Sequence, residues 1–241
     1  MDAAPVETTV RDGVLRFARP ATEWLSTGVD GGRQIADAVY NITVPSGWDE
    51  TDIAPYVADR LAAAGFDEDG PALLTGVAQR HARLAVRGPV AVVVTAGLSN
   101  PATLPPRADD HESAGPTDND PAPFHPGTIN VLAVTTRSLP PGALANLLTG
   151  LTEAKTATLL ERTGFSGTTS DAVVVGHDPQ GEPAPFSGSA TAVGHAARLC
   201  VRDALTAALD ARYATESIPD SVAEASYGRV TTGETSVSRP E

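Results

Sequence analysis

Lysine is almost missing from this chain: Lys155 is the only one in 241 residues, against sixteen arginines. Cysteine is equally scarce, with Cys200 alone. That excludes an internal disulfide and leaves no companion thiolate for a metal site, so Cys200 is expected to pack as a small hydrophobe on a helix. No apolar run approaches the ~20 residues a membrane helix requires. The opening MDAAPVETTVRD has neither a basic nor an apolar leader region, and the expectation is a soluble, cytoplasmic protein. Positive charge is short as well. Seventeen Lys and Arg against thirty Asp and Glu give a net charge of -13 and a pI near 4.7, which argues against any nucleic-acid partner.

What the chain does have is acid, together with abundant Ala, Thr, Val and Gly. Acid without lysine is the composition of proteins from salt-in halophiles. In molar salt the Debye length falls to ~3 Å, so the self-repulsion of such a surface is largely screened. A hydrophobic content of 41% suffices for a core, and one globular unit is the simplest reading.

Strand-like runs occur at residues 14–17, 22–26 and 38–44, followed by the turn-rich PSGWDE. A helix fits residues 52–64, with Asp52 near its start and Gly65 as the stop. Further strands fit 73–77, 82–87 and 90–96, and VAVVVTA within the last suits a strand buried on both faces. After them come a strand in GTINVLAVTTR, a helix over about 142–162, a strand at 172–176 and a helix over about 191–214. Adjacent strands without intervening helices imply hairpins. The expected fold is therefore α/β of the α+β kind: a mixed, largely antiparallel sheet with helices packed on it, in a single domain. The expected organisation is a flexible N-terminus over 1–12, one domain over 13–214 and a polar, disordered tail over 215–241. Within the domain, the Pro- and Asp-rich segment 101–126 reads as an exposed, mobile acidic insertion.

Placed on a 3.6-residue wheel, Leu144, Leu147, Leu148, Leu151 and Leu159 form one stripe, and Lys155 falls about 20° from Leu144, inside it. An ammonium pointing where a leucine belongs either snorkels out along its stem or is paired and used in chemistry. Loss of lysine everywhere else favours use. Glu153 lies roughly 200° around the helix and serves another surface. TGLTEAKT does not make a phosphate-binding loop, because Thr149 and Ala154 occupy the two required glycine positions.

Several polar clusters follow in order: TGVDGG (27–32), YNITV (40–44), LLTGV (73–77), TAGLSNPA (95–102), GTINVLAV (127–134), TEAKTATL (152–159), SGTTSDAVVVG (166–176) and FSGSATAVG (186–194). In order and spacing this series resembles the adenosylcobinamide amidohydrolase family (CbiZ) across about residues 20–212. The resemblance implies hydrolysis of the amide joining the aminopropanol arm to the corrin ring of adenosylcobinamide. The products would be adenosylcobyric acid and 1-aminopropan-2-ol, in corrinoid salvage for cobalamin biosynthesis. Two features depart from the family pattern. The acidic insertion is long, and SGTTSDA stands where a TGTxTDA-like pattern is expected, which leaves the roles of Thr168 and Thr169 open.

Amide hydrolysis needs an activated nucleophile or water and a donor for the developing oxyanion. Lys155 can supply the base or the donor. Thr128 is a candidate nucleophile or water-positioning hydroxyl, and Glu153 and Asp171 are candidate water-activating carboxylates. Substrate-binding candidates are Gly31, Asn41, Gly97, Ser99, Asn100, Gly127, Asn130, Thr169, Gly188 and Thr191, small or amide-bearing residues grouped at strand ends. His81, His111, His125, His177 and His195 make no metal-binding pattern. DDHESAG misses the corrinoid-binding DxHxxG motif by one position. No metal and no cofactor are expected, the corrinoid cobalt belonging to the substrate. The expected partner is a small corrinoid, without nucleic acid or membrane, and homo-oligomerisation is left open. The rival readings are a corrinoid carrier without turnover and an amidase for another substrate.

Overall fold

The computed structural model describes residues 4–45, 47–48, 50–105, 129–233 and 235–240. In chain order they form β1 (Glu7–Arg11), β2 (Val14–Ser26), β3 (Gly32–Thr43), α1 (Ile53–Ala63), β4 (Ala72–Thr75), β5 (Arg83–Arg87), β6 (Val90–Ala96), β7 (Pro101–Thr103), β8 (Ile129–Ser138), α2 (Pro141–Thr163), β9 (Gly167–Thr168), β10 (Ala172–Pro183), α3 (Ala192–Arg212) and β11 (Arg229–Val230). Short 3-10 turns lie at Gln79–His81 and Val222–Glu224.

The main sheet runs β4-β3-β2-β10-β8-β6-β5, with β1 paired to β2. Among the described residues only β3 with β4 and β10 with β8 pair in parallel in this sheet, and its other ladders are antiparallel. The expected mixed, largely antiparallel sheet is what forms. β2 is interrupted between Ala18 and Thr22. Its first half pairs with β1 and its second half with β10, so the sheet turns at this point.

That turn produces three hydrophobic cores and four layers. Val90, Val92, Val94, Val131, Ala133, Val173 and Val175 pack against α2 and α3. Ala91, Val93, Leu132, Val134 and Val174 face Leu15, Phe17, Trp24, Val39 and Leu73 from the other half of the sheet. Val14, Tyr40, Ile42 and Leu74 pack under α1 through Leu61, Ala64 and Phe66. The sheet halves therefore lie face to face between two helical layers. The β6 run VAVVVTA is apolar at nearly every position because alternate side chains enter different cores.

Helix α2 starts at Pro141, with Pro140 before it, and stops at Gly164, whose φ of 76° is left-handed. Thr191 caps α3 by accepting the Gly194 N–H at 3.1 Å. Glu153 pairs with Arg198 and Arg162 with Asp210, so the two helices lie side by side and run the same way.

Both segments outside the expected 13–214 domain carry paired strands. Glu7–Arg11 is a strand on β2, and Ala4 is buried with its N–H on Gly88 O at 3.0 Å. The polar ETTVR pattern hid this strand because it is an edge exposed on both faces, with only Thr9 half-buried. In the tail, β11 pairs in parallel with β7, Tyr227 N–H donates to Ser99 O, and Thr231 N–H to Thr103 O. A two-residue strand held by backbone bonds leaves no side-chain period to read. Pro101–Thr103, at the head of the expected insertion, is β7. Positions 106–126 of that insertion lie outside the described residues.

Candidate active site

Strand β6 ends where β8 and β10 begin, with Thr95 opposite Asn130 and Asn130 opposite Ala172. Two polar clusters gather at this end, one on each face of the sheet.

The outer cluster is centred on Lys155. Leu151, Ala154 and Leu159 around it are buried, and Lys155 is itself only 5% exposed, as the helical wheel indicates. The amine does not snorkel to solvent. It makes an ion pair with Asp171 Oδ2, in the turn before β10. Asp171 also accepts the Thr168 backbone N–H on Oδ2 at 3.1 Å and the Thr168 hydroxyl on Oδ1. A carboxylate offers about four acceptor positions. Among the described residues three donors occupy Asp171, which leaves one position on Oδ1. Gly167 is required by this closeness, since a Cβ there would stand 2.9 Å from Asp171 Oδ2 and 3.3 Å from Lys155 Nζ. The Gly167–Ser170 turn is held from β7. Asn100 Nδ2 donates to Thr169 Oγ1 at 2.7 Å and Ser170 Oγ at 2.9 Å, and Asn100 O accepts Thr169 N–H at 3.0 Å.

The inner cluster closes the layer between the sheet halves. Asn130 Nδ2 donates to Asn41 Oδ1 at 2.8 Å and to Leu74 O at 3.0 Å. Asn41 Nδ2 donates to Thr95 Oγ1 at 2.9 Å, and Gln79 Nε2 to Thr43 Oγ1 at 3.0 Å. Both partners of Asn130 Nδ2 are acceptors, so the orientation of that amide is fixed, and its buried Oδ1 has no donor among the described residues. An unmade bond of this kind costs about 1–3 kcal/mol.

The residues singled out from sequence divide accordingly. Lys155, Asp171, Asn100 and Thr169 meet in the outer cluster, and Asn41 and Asn130 in the inner one. Gly97 is buried and Ser99 exposed on the link from β6 to β7. Gly31 lies in the turn after β2, donating to Gly28 O at 3.0 Å. Thr128 and Gly127 lie outside the described residues. Glu153 does not join Lys155. It is exposed and bonds Arg198 at 3.1 Å, lining a groove between α2 and α3 with Gly188. Thr191 caps α3 beside that groove, its hydroxyl donating to Gly188 O at 2.8 Å. Thr168, whose role the sequence left open, binds both oxygens of Asp171. Gly167 and Ser170 were missed, although SGTTSD carries the signal: small residues and hydroxyls immediately before an acid.

Among the described residues no three His, Cys, Asp or Glu side chains are grouped as metal ligands, and no helix is long and apolar enough to cross a membrane. Cys200 is buried on α3, and burial pushes its thiol up to about 11.

A buried ammonium anchoring a carboxylate, with a hydroxyl on that same carboxylate, can polarise a carbonyl and move a proton, as a hydrolase requires. The comparisons give that class its family. The family model described as adenosylcobinamide amidohydrolase matches residues 3–217. An adenosylcobinamide amidohydrolase of Halobacterium salinarum, a halophilic archaeon, is 56% identical over 97% of this chain and 99% of its own length. Another, from Methanosarcina mazei, is 26% identical over 79% of this chain and 91% of its own. The chain belongs to the adenosylcobinamide amidohydrolase family and is an amidohydrolase.

Proposed function

We propose that this protein hydrolyses the amide between the aminopropanol arm and the corrin ring of adenosylcobinamide, in corrinoid salvage and in the cytoplasm. The products are adenosylcobyric acid and 1-aminopropan-2-ol. The observation that carries the reading is the Lys155–Asp171–Thr168 cluster, in a chain 56% identical to a relative of that name.

In this reading Lys155 is the oxyanion donor. An ammonium has three N–H groups, and the bond to Asp171 uses one of them. Asp171 Oδ1, with its remaining acceptor position, takes a proton from the attacking water as oxygen bonds to the amide carbon. The oxyanion of the tetrahedral intermediate faces Lys155. When the C–N bond breaks, the proton held by Asp171 passes to the departing nitrogen and leaves with the amine. Thr168 fixes the carboxylate, and Gly167 permits the approach. Ser99, Thr169 and Gly31, which are exposed, contribute small polar and backbone groups suited to the carboxamide fringe of a corrin, while Asn100 holds the turn and Asn41 and Asn130 brace the buried layer behind it. The reaction needs no resident metal, and the cobalt arrives with the substrate.

Purified protein incubated with adenosylcobinamide in high salt, with products resolved by mass, tests this directly. Release of aminopropanol and the acid supports it. Retained corrinoid of unchanged mass indicates a carrier, and no corrinoid binding indicates an amidase for another substrate. Turnover that a chelator abolished and a metal restored would overturn the metal-free mechanism.

A further inference from the structure

Strand β7 is three residues long, and its partner β9 is two. Two such strands alone are marginal in water. Yet Asn100, directly before β7, carries Thr169 and Ser170, and β9 carries Thr168, which holds the partner of Lys155. Something must hold β7. The register between β6 and β8 ends at Ala96 opposite Ile129, so the main sheet does not reach it.

The support comes from the end of the chain. Tyr213, after α3, accepts the Leu98 N–H on its hydroxyl at 2.7 Å. Ile218 and Val222 pack against the core under α2 and α3. Tyr227 N–H then bonds Ser99 O at 2.9 Å, Arg229 and Val230 pair with Ala102 and Thr103, and Thr231 N–H bonds Thr103 O at 2.8 Å. The path from 222 to 228 is tight, for a Cβ at Gly228 would lie 2.2 Å from Val222 O. Residues 98–103 are thus clamped, with the C-terminal segment on one side and residues 166–169 on the other.

We infer that residues 218–231 are a positioning strap for the active site. Through β7 they set the Gly167–Asp171 turn and so keep the Lys155 amine paired and shielded. The strap contributes no group to the reaction, and the fold of the main sheet does not depend on it. Its catalytic consequence rests on the proposed amidase activity, whereas its effect on Lys155 does not.

The single lysine makes the test clean. Full-length wild type, Gly228→Val and Thr231→Pro are treated with an amine-acylating reagent, and modification of Lys155 is followed by peptide mass separately from the N-terminal amine. Both variants are expected to label Lys155 at least about tenfold faster than wild type, with melting temperatures within ~3 °C of it. With adenosylcobinamide, kcat should fall about tenfold or more while KM changes little, and the pH profile of kcat should differ in shape from that of wild type. Labelling at the wild-type rate would overturn the strap, and so would loss of cooperative melting in either variant, which would make the segment part of the fold. If wild type does not hydrolyse adenosylcobinamide, the proposed function fails and the labelling rates still decide the strap.

Discussion

At the scale of single residues, the proposed reactive arrangement depends on how an ammonium is kept out of water. Lys155 and Asp171 side chains are 6% and 13% exposed, so neither charge is well screened and each needs the other. Removing one partner of such a pair costs about 3–5 kcal/mol, which chemical denaturation of Asp171→Ala should register. Lys155→Met and Asp171→Asn should each lower kcat/KM by about 10²–10⁴, the range for loss of a proton-transfer or charge-stabilising group. Lys155→Arg with full activity would contradict the role given to the amine, because a planar guanidinium cannot take its place in this packing. Gly167→Ala drives a methyl group between the charges and should cost about 1–3 kcal/mol, with activity falling further than stability. By contrast, Glu153→Gln should retain activity within about twofold and alter stability by less than ~1 kcal/mol, since it breaks only an exposed pair. An inactive but folded Glu153→Gln would move the chemistry to the other face of α2.

At the scale of elements, α2 was legible because leucine spacing fixes a helical face, and that face included Lys155. Its counter-ion was harder to find. Asp171 lies sixteen residues away in sequence, and nothing in the period of α2 or β10 says that the turn between them folds back under the helix. The inner cluster was legible only as polar residues at strand ends, since the meeting of Asn41 with Asn130 requires the sheet to curl. A different junction gives a pH dependence. His177 Nδ1 on β10 accepts the Leu139 N–H at 3.2 Å, tying β10 to the approach to α2. Burial holds this imidazole below its ordinary pKa, outweighing nearby Glu23, while Arg33 pushes the same way as burial. The unfolded histidine takes up its proton near pH ~6.5 and the folded one only at lower pH. Its stability contribution is therefore complete above that value and is lost as pH falls through the folded pKa. Thermal melts should show wild type losing more stability than His177→Gln between pH 7 and pH 5, and parallel curves would refute this.

At the scale of the whole molecule, a net charge of -13 makes compactness itself dependent on salt. The Debye length falls from ~10 Å at 0.1 M to ~3 Å at 1 M, so the melting temperature should climb steeply with potassium chloride over that range. A flat dependence would contradict the halophilic reading of the surface, which is supported by a relative from a halophilic archaeon. Composition made this property visible from the start, because charge is a sum over residues and does not depend on how they are arranged. The chemistry does depend on arrangement, and one measurement tests it most directly: the mass of the corrinoid recovered after adenosylcobinamide is incubated in high salt with wild type and with Asp171→Asn. Wild type should yield the carboxylic acid with an equivalent of aminopropanol, and Asp171→Asn should bind the corrinoid and return it unchanged. Unaltered adenosylcobinamide from wild type, or equal conversion by the variant, would contradict the account.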